Sequence, residues 1–183
     1  MARFAVLFAV FLGLAAPALA EDGDELDRLF EALRGDETGD AAHWARIEDR
    51  IWDLWSRSGS AAMDYLLERG REALAADQFD AAIEHLTALV DNAPDFAEGY
   101  NARATAYYQA GLVGPAMADI ARVLTLEPRH FGALTGLGLI LEETGDAEGA
   151  VRAYGAALAI HPHQPDLREA MERLDEELQG ETI

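Results

Sequence analysis

Cysteine is absent from all 183 residues, and lysine is absent too, so that the 14 basic residues are all arginine. Lack of cysteine excludes disulfides, Cys-ligated zinc or iron–sulfur centres, thiol catalysis and a lipoprotein anchor on an N-terminal Cys. Packing alone must hold the fold together. Positive charge is scarce against 34 acidic residues, for a net charge of −20. Such a surface repels phosphate backbones and anionic headgroups, which disfavours nucleic acid and lipid surfaces and favours a basic partner. Recognisable chemistry is missing as well: there is no G-x-S-x-G, no H-E-x-x-H, no P-loop and no dinucleotide glycine pattern. No catalytic residue, metal or cofactor is assigned. Of the five histidines, only His161 and His163 come together, around Pro162 and near Asp166 in "HPHQPD". In a bend of this kind they read as turn residues before metal ligands.

One long apolar run is present, and it stands at the start. "MARFAVLFAVFLGLAAPALA" has a basic Arg3, an apolar stretch over residues 4–14, a break at Pro17 and a small-x-small ending at Ala18-Leu19-Ala20. Residues 1–20 therefore read as a cleaved secretory signal, which implies a periplasmic protein with no membrane attachment after cleavage. The alternative is an uncleaved anchor on a membrane-tethered assembly subunit, since the run is just near the ~20 residues a span requires.

Prolines are few but spaced evenly: Pro94, Pro128 and Pro162 are 34 residues apart. With each proline as position 32, the units run over residues 63–96, 97–130 and 131–164, and the other columns agree. Position 8 is Gly70, Ala104 and Gly138, and position 20 is Ala82, Ala116 and Ala150. Small groups there let the two helices of a unit approach. Larger groups at positions 4, 11, 24 and 27 are expected to fill between units, among them Leu66, Tyr107, Leu86, Ile120, Tyr154 and Leu89. Each unit breaks mid-way, with Gly111 and Gly145 at position 15 where a left-handed helix cap is expected.

This pattern resembles the tetratricopeptide repeat (TPR) family, and the resemblance implies an all-α TPR solenoid of antiparallel helix pairs. The chain also resembles small periplasmic bacterial TPR proteins, a likeness that implies an interaction scaffold for envelope assembly or protein maturation. Two columns depart from the family pattern: position 7 is Arg69, Arg103 and Leu137, and position 23 is His85, Asp119 and Ala153. Arg103 with Asp119 reads as a structural ion pair within its unit.

In the family, the first helix of each unit lines a concave groove for a protein or peptide partner. Carried over, its ligand-facing positions include Asp64, Glu68 and Arg71 in the first unit, and Glu98, Asn101, Thr105, Tyr108 and Gln109 in the second. The third supplies Gly132, Thr135, Gly136, Leu139, Glu142 and Glu143. Only Arg71 is basic, which disfavours an acidic, carboxylate-terminated tail as ligand. Gly132 and Gly136 leave a stripe without side chains, on which either a neighbouring helix or a partner backbone is expected to lie. The partner reading runs a segment across Asn101, Thr105 and Tyr108 onto the two glycines, with Leu139 as apolar contact and Glu142 and Glu143 taking a basic residue.

The flanks carry helical periodicity without the repeat columns. Residues 24–58 read as an N-terminal degenerate helix pair with Leu26, Phe30 and Leu33 on its first stripe and Trp44, Ile51, Trp52 and Trp55 on its second, expected to dock on the first unit. Residues 165–179, with Leu167, Met171, Leu174 and Leu178 on one face, read as a C-terminal capping helix.

Overall fold

The computed structural model describes residues 16–35 and 40–180. The expected signal segment lies outside the described residues up to residue 15, and its last five residues begin the first helix. Among the described residues no helix is long and apolar enough to cross a membrane. The elements are α1 (Ala16–Gly35), α2 (Ala41–Trp55), α3 (Ala61–Ala75), α4 (Phe79–Asn92), α5 (Ala97–Gln109), α6 (Val113–Leu126), α7 (Phe131–Glu143), α8 (Ala147–Ile160) and α9 (Pro165–Gly180). The pairs α3/α4, α5/α6 and α7/α8 pack internally and then stack, with α3, α5 and α7 adjoining along one inner face and α9 closing against α8.

Each pair turns by the same device. Asp77, Gly111 and Gly145, all at position 15, have φ of 55°, 75° and 84°. The next amides, of Gln78, Leu112 and Asp146, each donate over 2.8 Å to the carbonyls of Ala73, Tyr107 and Leu141. That bond caps the orphan carbonyls left at a helix end. Glycine adopts the left-handed region freely, whereas Asp77 carries a Cβ penalty there.

Helix separation follows from residue size. A Cβ built on Gly70 would lie 2.5 Å from Leu86 Cγ, and one on Gly138 only 2.3 Å from Tyr154 Cε1. The large residue at position 24 thus packs over position 8 inside its own unit and also reaches between units, as expected. Three buried clusters result. The first joins units one and two through Leu67, Leu86 and Leu89, and the second joins units two and three through Ile120, Val123 and Ile140.

The third cluster holds the main correction. The N-terminal pair packs on the third unit and α9, and not on the first unit: Phe30, Leu33, Ile51 and Trp55 share a core with Phe131, Leu134, Tyr154, Leu167 and Leu174. Toward the first unit, the chain around α2's end makes polar contacts, with Ser58 donating to Asp64 and Arg71 donating to Ser56. An aromatic stripe needs apolar area to cover it, and the third unit supplies that area.

Arg103 donates bidentately to Asp119, over 2.7 and 2.8 Å, with the side chains 14% and 9% exposed. The Asp119 hydrogen bond raises the Arg103 pKa above its usual value. Tyr100 and Tyr107 face the guanidinium at 5.6 Å. Arg69 turns to Glu72 on its own helix.

Two measurements check this account. Asp77→Gly should raise stability by about 1 kcal/mol in urea denaturation by relieving the left-handed aspartate. Asp119→Ala should cost about 3–5 kcal/mol, and adding Arg103→Leu should restore part of it, because removing one ion leaves the other buried and uncompensated. Equal losses in the single and double variants would show that the pair is not coupled.

Candidate groove on the inner helix face

The face lined by α3, α5 and α7 is divided in two by α2. In the half that α2 covers, Glu98 is only 3% exposed. Its carboxylate accepts from Arg71 Nη2 at 2.6 Å, Asn101 Nδ2 at 3.1 Å and His130 Nε2 at 3.0 Å. His130 Nδ1 accepts from the Ala133 amide at the start of α7, so the ring hydrogen stands on Nε2 and points at Glu98. Burying a carboxylate is costly unless donors surround it, and donors from α3, α5 and the loop before α7 do so here. Trp55 stacks on the His130 ring at 4.1 Å. Beside it, Trp52 Cη2 lies 2.6 Å from where a Gly132 Cβ would be, so only glycine admits the indole.

Four residues expected to meet a ligand are therefore taken up by the chain itself. Asp64 accepts from Ser58, Arg71 binds Glu98 and Ser56, Glu98 is buried, and Gly132 receives Trp52. The reasons differ: Trp52 of α2 fills the space at Gly132, Ser56 at the end of α2 and Ser58 in the following loop hold Arg71 and Asp64, and Glu98 is held within the array by Arg71, Asn101 and His130. The histidines of the "HPHQPD" bend serve the same docking. His161 is buried and its Nε2 donates to Glu48 over 3.2 Å. His163 stacks on Trp44 at 3.7 Å and donates from Nε2 to the Leu33 carbonyl over 2.9 Å. The hydrogen bond from His161, with a second from Trp52, lowers the Glu48 pKa despite partial burial.

The other half is open. Asn101, Thr105, Tyr108 and Gln109 on α5 face Gly132, Gly136 and Leu139 on α7 across a cleft of about 230 Å³, floored by Ala104, Ile120, Ala133 and Ile140. Here the expected residues do come together. Leu139 is 40% exposed, and a Cβ on Gly136 would meet only Ile120 Cδ1 at 3.9 Å. One wall is polar and the other apolar. At one end Tyr108 donates to Glu143 over 2.5 Å, and that bond pushes the phenol pKa up to about 12. Glu142 faces away from the cleft, accepting from Tyr154 at 3.0 Å and from Arg173 of α9 at 2.6 Å. It is not free to take a partner's basic residue. Thr135 is half-buried and bonds the Phe131 carbonyl, while Glu68 is exposed on α3. The floor residues and the contact of Trp52 with Gly132 lie outside the positions carried over from the family.

With this geometry in view, the comparisons are decisive for the family. The tetratricopeptide repeat profile matches residues 67–124 and 116–165. The chain belongs to the tetratricopeptide repeat family. A TPR repeat-containing protein of Rhizobium etli is 35% identical over 155 residues, covering 85% of this chain and 75% of that protein. Among solved structures, the Sgt2 TPR domain from Aspergillus fumigatus superposes with a TM-score of 0.62 at 22% identity, covering 67% of this chain and 83% of its own. The first TPR of Spaghetti (RPAP3), bound to the HSP90 peptide SRMEEVD, gives 0.63 at 21% identity, covering 66% and 95%. The fold of this TPR chain is thus an all-α solenoid with an added N-terminal pair.

The Glu48–His161 bond predicts a pH dependence. Because the folded Glu48 pKa lies below its ordinary 4.5, the bond contributes stability above that value and loses it as pH falls through the folded pKa. Glu48→Gln should therefore flatten the fall of Tm between about pH 5 and pH 3 relative to the parent. Parallel Tm profiles would remove Glu48 from that role.

Proposed function

We propose that this TPR chain is an exported protein-interaction scaffold that holds a protein or peptide segment in the open half of its inner face. The cleft between Asn101, Thr105 and Tyr108 on one side and Gly136 and Leu139 on the other carries this reading. Polar side chains on α5 suit the peptide groups of a partner, and the apolar wall on α7 suits one of its side chains. The HSP90 peptide held by the RPAP3 relative supports a peptide as the class of ligand.

The partner's chemistry differs from that acidic peptide. Among the described residues no cation lines this cleft, and Arg71, the basic residue of the expected groove set, is committed to Glu98 and Ser56. Against a net charge of −20, a neutral or basic segment is favoured. The leader-like residues 1–20 support export to the periplasm, where assembly or maturation of envelope proteins is the role in keeping with a scaffold. Cleavage after Ala20 leaves the core-facing Leu26, Phe30 and Leu33 of α1 in place.

Crosslinking the full-length, C-terminally tagged protein in cells tests the reading, beside a Tyr108→Ala, Gly136→Leu variant. A Cβ at Gly136 meets only Ile120 Cδ1 at 3.9 Å, so the variant should stay folded, which its circular dichroism spectrum checks. At least a tenfold drop in one captured envelope protein is expected, roughly the loss of 1.4 kcal/mol of binding. Undiminished capture by the folded variant would overturn the groove assignment, and an intact mass retaining residues 1–20 would overturn cleavage.

A further inference from the structure

The inner face of this chain already holds a ligand, its own α2. Trp52 inserts where Gly132 lacks a side chain, and Trp55 stacks on His130. Gly132 also lines the open cleft, so the covered and open halves are one channel. Three features set the N-terminal pair apart from the array beneath it. The family profile matches residues 67–124 and 116–165 and so leaves α1 and α2 outside it. Gly59, with φ of 79°, lies between α2 and α3 and is suited to a pivot. The seam is also polar at its edges, through Glu48–His161, Asp27–Arg129 and Ser56–Arg71.

Resting on the groove reading above, we infer that the α1–α2 pair is a displaceable occupant of the channel. A partner seated at Gly136 extends along the whole inner face by driving Trp52 from Gly132, and the side chain that replaces it is aromatic. The slot specifies this chemistry. It is bounded by the His130 and Phe131 rings, which meet Trp52 in T-shaped contacts at 5.4 and 5.5 Å, and its base is a glycine. Flat, edge-on groups fit between them, and a branched aliphatic group wastes the ring contacts.

Native-state hydrogen exchange on the full chain tests the opening without any partner. The amides of α2 should exchange on the order of 100-fold faster than those of α5 and α7, with a weaker urea dependence, because they open without unfolding the array. Exchange of α2 at the same rate and urea dependence as α7 and α8 would overturn the proposal. Gly132→Ala places a methyl against Trp52 and should speed α2 exchange about tenfold further while leaving α5 within about threefold. A parallel rise through α7 and α8 would count against it, and if this variant does not fold, the parent measurement decides. A labelled synthetic peptide of residues 41–55 then probes the slot. It should bind the full-length Trp52→Ala variant about tenfold more tightly than the parent, whose slot is filled. Equal or absent binding would overturn competition for the slot. Loss of partner capture by the Gly136→Leu variant bears on the groove reading alone, since hydrogen exchange requires no partner.

Discussion

The buried carboxylate of Glu98 is the constraint around which the inner face is arranged. A carboxyl group so fully removed from water demands partners, and it finds them in Arg71 on α3, Asn101 on its own helix and His130 ahead of α7. The first two repeat units are thereby tied to one point, at the entrance to the third. His130 in turn offers Trp55 a flat ring to stack on, so the polar knot between units becomes the floor on which the N-terminal pair rests. A repeat array ordinarily couples only neighbours. Here α1 and α2, which precede the first unit in the chain, bury their aromatic stripe against the last, and the two ends of the array share one core.

That closure shapes the candidate cleft. Half of the face that TPR arrays present to ligands is spent on α2, and what remains is a short cleft with an amide-bearing wall and an apolar wall. Charge acts in the same direction. The arginines near the inner face and the seam are consumed within the molecule, Arg71 by Glu98, Arg173 by Glu142 and Arg129 by Asp27, leaving no cation in the cleft for an acidic tail. Arg71, Arg129 and Arg173 thus serve as fasteners between elements of the fold.

The histidines show how the same residue type is read differently by sequence and by structure. In "HPHQPD" the spacing offered turn residues or a weak metal pair. In three dimensions His161 binds Glu48 and His163 stacks on Trp44, each fixing the N-terminal pair to the end of the array. Neither contact has any trace in local spacing, because the partners lie more than a hundred residues away in the chain.

By itself the sequence determined the local architecture: where each helix stops, which columns are small, and that position 15 turns left-handed in Gly111 and Gly145. These are short-range consequences of proline and glycine stereochemistry and of a repeating pattern of side-chain volume. The tertiary structure alone decided where the tryptophan stripe goes, that Asp77 shares the left-handed cap, that Glu98 is buried among Arg71, Asn101 and His130, and that Gly132 faces the chain's own α2. The amphipathic pattern of α2 says that one side must be covered, but burial of apolar area is non-directional. Only the meeting of Trp52 with a missing side chain at Gly132, and of Trp55 with His130, selects the surface that covers it.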